Sequence, residues 1–379
     1  MKNKQITTID FSNCRVDVPE NLEFFLQKLG KESYIRYLTM SGLFGDMSTP
    51  FEVLGEALSE STRMEILILN ENKIRHTSYI KFWEFLMGNK SIKKISVMKT
   101  EISDKTCESI GPYLSNKWCT LIDLDLSRNL ITDVGLISLM SNLIVSSSLL
   151  YLNLSSNSIR DKGIVKLVEY LVKPKCTLLE LSLQGNKINN EGMETLAGFL
   201  AKNKSLKMLD LGKNEFSDHG FEPFAAEIAK NTCLTLLDIS RNKEINDEGS
   251  LVTLVQSIAF NKSIQTLDLN GIRIRKPFLK SHFEPALISN ITLKFVNGKM
   301  QADIVQGMLN TNIVIETKVV PNYLPKAKFR KGDFNVKILD PLNTSFLNMS
   351  GCDNSLFQPA LKFVKYHDIR TCDFSNMHL

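Results

Sequence analysis

Residues 121–131 read LIDLDLSRNLI, and the frame LxxLxLxxN returns as LLYLNLSSNSI from Leu149, LLELSLQGNKI from Leu178, LKMLDLGKNEF from Leu206 and LTLLDISRNKEI from Leu234. Weaker copies begin at Ile6, Ile35, Met64, Ile92 and Ile264. The residues at the Asn position are Cys14, Leu43, Asn72, Thr100, Asn129, Asn157, Asn186, Asn214, Asn242 and Ile272, and their spacings are 28 to 30 residues. A period of this length marks a chain that grows by stacking supersecondary units. In each unit the fourth and sixth positions alternate as a short strand, with Leu turned inward and its neighbours turned to solvent. Asn at the ninth position ends the strand, where its amide can bond backbone groups that the turn leaves open.

A helix follows each strand. Segments such as ITDVGLISLMSNL, IRDKGIVKLVEYL and FSDHGFEPFAAEI begin with Asp and continue with apolar residues at three and four spacing. Asp104, Asp133, Asp161, Asp218 and Asp247, with Asn190 in the sixth, are the expected caps of their own helices. One strand and one helix cannot bury their apolar faces alone. The fold class expected is therefore an α/β leucine-rich repeat solenoid, with parallel strands on the concave side and helices on the convex side.

Two further periodicities accompany the frame. Cys119, Cys176 and Cys233 are 57 residues apart, and Asn-Lys-Ser recurs at Asn89, Asn203 and Asn261. The cysteines read as small buried side chains rather than metal or redox groups. The Asn-x-Ser and Asn-x-Thr triplets at Asn89, Asn153, Asn203, Asn261, Asn290, Asn343 and Asn348 read as chance in an Asn-rich chain.

The alternating units with NxIxDxG after the strand resemble the ribonuclease-inhibitor-type leucine-rich repeats, over roughly residues 1 to 290. The resemblance implies a horseshoe and a protein-binding role, since this repeat serves inhibitors, sensors, cytoskeletal regulators and GTPase activators alike. The chain is similar to Ran GTPase-activating proteins in repeat type, yet its C-terminal region is basic where theirs is acidic. It lacks the Cys and Trp richness of ribonuclease inhibitors. Its general appearance is nearest to axonemal and cytoskeletal repeat proteins.

Beyond Ile272 the register blurs. The expected organisation is a solenoid of ten to eleven repeats over 1–300, a degenerate repeat and basic loop over 301–341, and resumed terminal repeats over 342–379, left uncapped. An open end invites an end-to-end contact or a dimer.

The 379 residues are 43% hydrophobic and 23% charged, a globular composition. Seven Cys, an odd number with no CxxC, fit reduced thiols in a cytoplasmic setting. The N-terminus has no apolar segment of signal-peptide length. Residues 134–159 are uncharged, but eleven of the 26 are Ser or Asn, which disfavours a membrane span. The net charge of +5 is regional, because residues 271–337 hold twelve Lys or Arg against four Asp or Glu.

No GxxxxGK[ST], HExxH, GxSxG or protein-kinase motif is present, and the five His are scattered. No enzyme, cofactor or metal site is expected. The outward strand positions supply the candidate partner-binding surface. The face divides in two: its N-terminal part carries Tyr37, Ile66 and Ile68, an apolar cluster, and its later part carries Tyr151 with Asp123, Asp125, Glu180, Asp210, Asp238 and Asp268, an acidic wall suited to a basic segment of a protein partner. A second surface is basic: Arg273, Arg275 and Lys276, then Lys326, Lys328, Arg330 and Lys331. It suits an acidic filament or protein surface better than nucleic acid, because exposed aromatics are few. The expected function is a non-catalytic protein-interaction scaffold in a large intracellular assembly, ciliary or cytoskeletal, with no membrane contact. A GTPase-activating protein for a Ran-like GTPase and a bacterial effector that binds host proteins are the alternatives.

Overall fold

The computed structural model describes residues 7–12, 14, 19–30, 34–45, 47–143, 148–174, 176–283, 285–286, 290, 292–293 and 295–297, with two strands at 346–348 and 371–373. The chain divides into two units, 1–317 and 318–379.

The first unit is one open parallel sheet of eleven strands in sequential order. Strands β1 (Thr8–Asp10), β2 (Tyr37–Thr39), β3 (Ile66–Ile68), β4 (Lys94–Ser96), β5 (Asp123–Asp125) and β6 (Tyr151–Asn153) are followed by β7 (Glu180–Ser182), β8 (Met208–Asp210), β9 (Leu236–Asp238), β10 (Thr266–Asp268) and β11 (Phe295–Asn297). Each is three residues long because only the alternating core of the frame is extended. Between them run helices α1 (Pro19–Gln27), α2 (Ser48–Glu60), α3 (His76–Leu86), α4 (Asp104–Ser115), α5 (Asp133–Leu143), α6 (Asp161–Leu171), α7 (Asn190–Leu200), α8 (Asp218–Ile228) and α9 (Glu248–Phe260). A strand and its crossover helix make the parallel unit, and the middle residue of each strand turns toward the helices. Leu38, Leu67, Ile95, Leu124, Leu181, Leu209, Leu237 and Leu267 are fully buried there.

Three side-chain columns hold the repeats together. The first is the asparagine ladder. Asn129 is nearly buried; its amide donates to Val97 O of the preceding repeat (2.9 Å) and to Leu126 O (2.9 Å), and its Oδ1 accepts from Thr100 N (2.9 Å) and Ile102 N (3.0 Å). Asn72, Asn157, Asn186, Asn214 and Asn242 repeat the pattern. Just before each ladder position stands a residue in the left-handed region: Gly42, Glu71, Lys99, Arg128, Ser156, Gly185, Lys213, Arg241 and Gly271. That turn, strained for a residue with a Cβ, aims the following amide into the stack.

The second column corrects the expectation for the aspartates. Asp104 does not cap its own helix; its Oδ1 accepts from Thr132 N (2.7 Å) and Gly135 N (3.0 Å) at the start of α5, in the next repeat. Asp133, Asp161 and Asn190 do the same for α6, α7 and α8. Each acid is the first residue of its helix, so its side chain reaches sideways to the neighbouring helix N-terminus rather than back onto its own. The contact demands glycine: a Cβ on Gly220 would lie 2.5 Å from Asn190 Cα. Asp247 alone among these caps as expected, accepting from Gly249 N (2.8 Å) and Ser250 N (3.3 Å).

The third column corrects the reading of the Asn-x-Ser triplets. Asn89, Asn203, Asn261 and Asn290 are buried, and the amides of Asn89, Asn261 and Asn290 donate to carbonyls at the end of the preceding helix. Asn89, Asn261 and Asn290 thus form a second ladder. Cys233 is buried beside it, and burial pushes the Cys119, Cys176 and Cys233 thiols up.

The first two devices are not present at every joint, although Asn116 Nδ2 still donates to Met87 O (2.8 Å) between the third and fourth repeats. Between the third and fourth repeats Thr100 replaces Asn; its hydroxyl donates to Val97 O of its own repeat (2.7 Å) and to Asn129 Oδ1 of the next (3.2 Å), and its side chain also bonds Tyr79 of the preceding repeat. His76 occupies the helix position at which the following repeats carry Asp or Asn. Trp83 Nε1 and Thr106 Oγ1, on the two facing helices, are buried without a hydrogen-bond partner.

Residues 134–159 include most of α5 and all of β6, and no helix among the described residues is long and apolar enough to cross a membrane. In the second unit β12 (Phe346–Asn348) and β13 (Thr371–Asp373) pair in parallel.

Candidate functional site

The outward positions expected from the frame are the first and last residues of every strand, so the candidate surface is the open face of the sheet. Parallel register sorts it into two columns. Tyr37, Ile66, Lys94, Asp123, Tyr151 and Glu180 line up at the strand starts. At the strand ends stand Ile68, Ser96, Asp125, Asn153, Ser182, Asp210, Asp238 and Asp268.

This sorting changes the acidic wall. Asp125 is parted from the later acids by Asn153 and Ser182, while Asp210, Asp238 and Asp268 are direct cross-strand neighbours. Asp123 is not free of bases, because Lys94, directly opposite in register, places Nζ 2.7 Å from its Oδ2. Tyr37 is exposed, but Ile66 and Ile68 are only half-exposed, since close-spaced parallel strands pack them against their register neighbours. Tyr151 is half-buried between Asp123 and Glu180.

The acids at the strand ends have a structural duty as well. Asp125, Asp210, Asp238 and Asp268 each accept, through Oδ1, the N–H two residues on, at 2.9, 3.0, 2.7 and 2.8 Å. Asn153 does the same for Ser155 (3.0 Å), so the turn needs an amide or carboxylate oxygen, not a charge. The charge is therefore surplus to the fold. Asp210 also accepts from Ser182 Oγ (2.8 Å).

Three carboxylates on neighbouring strands repel one another in a poorly solvated place. Burial pushes the Asp210 carboxyl up to about 6, against the hydrogen bonds from Gly212, Ser182 and Gln184 that favour its ionised form, and the Asp268 charge adds to the rise. Burial, then the charges of Asp210 and Asp268, push Asp238 up to about 7. Glu180 is raised by burial first and by Asp123 second. Asp210 and Asp238 form no ion pair among the described residues. This is an electrostatic arrangement that a cation would relieve.

The basic surface is described in part. Arg273 and Arg275 are exposed after β10, and Arg275 lies 3.5 Å from Glu248 of α9. The backbone at Lys276 begins a short helical turn, and Lys326, Lys328, Arg330 and Lys331 lie outside the described residues. Among the described residues no group of three or more His, Cys, Asp or Glu could hold a metal ion.

A family model described as the leucine-rich repeat matches residues 119–140, 145–168, 175–197, 202–225 and 230–250, so this central stretch consists of leucine-rich repeats. No curated protein sequence matches the chain. Among solved structures, an internalin from Listeria monocytogenes is 18% identical, with TM-score 0.47 over 82% of this chain and 86% of that one. A chain from the Rad7 and Elc1 complex of yeast is 15% identical, with TM-score 0.47 over 83% and 81%. The actin-binding site 2 of leiomodin-1 is 15% identical, with TM-score 0.29 over 34% of this chain and 74% of that one.

Proposed function

We propose that this chain is a non-catalytic scaffold of the ribonuclease-inhibitor repeat type, and that its open strand face around Asp210, Asp238 and Asp268 grips a basic segment of a protein partner. The observation that carries the reading is the row of three carboxylates, in which burial and the neighbouring charges disfavour ionisation of Asp210 and Asp238. A row of Lys or Arg laid across β8, β9 and β10 would hold Asp210 and Asp238 ionised. Tyr151 and Tyr37 supply amphipathic contact area further along the same face. The free cysteines of the described residues support a reducing compartment. The setting proposed is a large intracellular assembly, axonemal or cytoskeletal, with the Arg273 and Arg275 region meeting an acidic surface.

Linkage gives the test a sign. Because the partner favours the ionised carboxylates, binding expels protons from Asp210 and Asp238, and affinity rises as pH rises from about 5.5 to about 8. Calorimetry with an oligoarginine peptide, run across that range, should show this rise. The joint change of Asp210→Asn, Asp238→Asn and Asp268→Asn keeps the turn acceptors and should abolish both the binding and its pH dependence. Binding that survives the triple change places the contact elsewhere and overturns the assignment.

A further inference from the structure

Where the chain enters β1 to β5, the sheet has a leading edge that the frame leaves unspecified. A pocket of about 490 Å³ opens there, and its charged lining is Arg36, Arg63, Lys90 and Lys93 against the single carboxylate of Glu65. Glu65 is engaged twice, by Arg36 (3.0 Å) and by Lys93 (3.5 Å). Arg63 and Lys90 pair with no carboxylate among the described residues. Aromatic rings hold them instead: the Arg63 guanidinium lies 4.1 Å from the Tyr34 ring centroid, and Lys90 Nζ lies 4.1 Å from that of Trp118. Lys117 shares the Trp118 ring at 4.9 Å.

Cations held by rings rather than by carboxylates keep their charge unneutralised while losing much of their rotamer freedom beforehand. They are thus prepared for an anion. Donors converge from three adjacent repeats, which suits the tetrahedral oxygens of a phosphate better than a planar carboxylate. The same rings argue against nucleic acid, because an aromatic face covered by a cation cannot stack a base. We infer that this leading edge is a phosphate-binding pocket for a phosphorylated segment of a protein partner, with Arg63 and Lys90 as its principal donors. It is separate from the acidic triad and does not depend on that reading.

Fluorescence anisotropy with the full chain tests it. The probe is a labelled Gly-Ser peptide carrying two neighbouring phosphoserines, compared with its unphosphorylated twin and with oligodeoxythymidine, at roughly physiological ionic strength. The phosphorylated peptide should bind at least about tenfold more tightly than the twin, and Arg63→Ala with Lys90→Ala should weaken it about tenfold. Both residues are exposed, so the variant should melt with the parent; Lys187→Ala with Lys213→Ala removes the same charge elsewhere and should leave binding unchanged. Equal binding of the twin, or equal losses in the two double variants, would overturn the pocket. Tighter binding of the oligonucleotide, lost in the Arg63 and Lys90 variant, would overturn the choice of a phosphorylated peptide.

Discussion

The strand ends of β8 to β10 and the leading edge of β2 to β4 belong to one sheet and one repeating frame, yet they carry opposite charge. Asp210, Asp238 and Asp268 crowd a single column, whereas Arg36, Arg63, Lys90 and Lys93 gather from different columns of neighbouring repeats. The buried positions scarcely differ between the two regions: Leu67 and Leu237 occupy the same place in the strand, and Asn72 and Asn242 the same rung. The frame fixes the inner face and the turns, and leaves chemistry to the positions it does not use. The charge of the two regions is therefore carried by residues that contribute little to stability, or that oppose it.

The largest effect expected comes from the shared frame. Asn242 is fully buried and donates to Leu211 O (3.1 Å) and Ile239 O (2.8 Å) while accepting from Asn214 N (2.7 Å). Asn242→Ala strands these groups and should lower stability by about 3 kcal/mol in urea unfolding. A loss under about 1 kcal/mol would mean the ladder is not what couples the repeats.

Asp238→Asn separates charge from fold. The Asp238 carboxyl stands at about 7 in the folded chain against an ordinary 3.8, so between those values the folded state holds more protons than the unfolded one. Stability present near pH 4 is lost as pH rises through about 7, and the Asn variant escapes this loss. It should be more stable than the parent by about 1 to 2 kcal/mol at pH 8, with the gap closing toward pH 4. Denaturant titrations at the two pH values decide it; a constant gap would remove electrostatics as the cause.

Thr100→Asn should raise stability by about 1 kcal/mol, read as a shift in melting temperature, by restoring a rung between the third and fourth repeats. Smallest is Lys94→Ala. It breaks a half-exposed pair with Asp123, and its effect on stability should stay within about 0.5 kcal/mol. Oligoarginine binding should nevertheless strengthen, as the acidic face gains an unpaired member.

Much of this was legible in the letters. Every outward pair read from LxxLxLxxN, from Thr8 and Asp10 to Thr266 and Asp268, coincides with the ends of a strand, because a period of two over three residues leaves no freedom. What the letters concealed was contact between repeats. Asp104 looks like a cap for the helix it begins, and only stacking shows that it serves α5. The glycines at 135, 163, 192 and 220, near the start of each receiving helix, were the available signal, since a small residue at a helix start implies a close neighbour. The basic pocket was invisible for another reason: Arg36, Arg63 and Lys90 occupy three different positions of the repeat, so no alignment of units brings them together.

The joint beside Thr100 has a mechanical meaning. Its backbone sheet bonds are intact, but the amide rung and the carboxylate clasp that brace later joints are missing. Glu101 adopts a left-handed backbone there, with φ of 62°. In a chain whose cohesion passes only between nearest neighbours, such a place is a notch within the stack. Amide hydrogens of β3 and β4 should exchange faster than those of β7 and β8. Arg63 lies on one side of the notch and Lys90 on the other, so an anion that bridges them would act as a rivet.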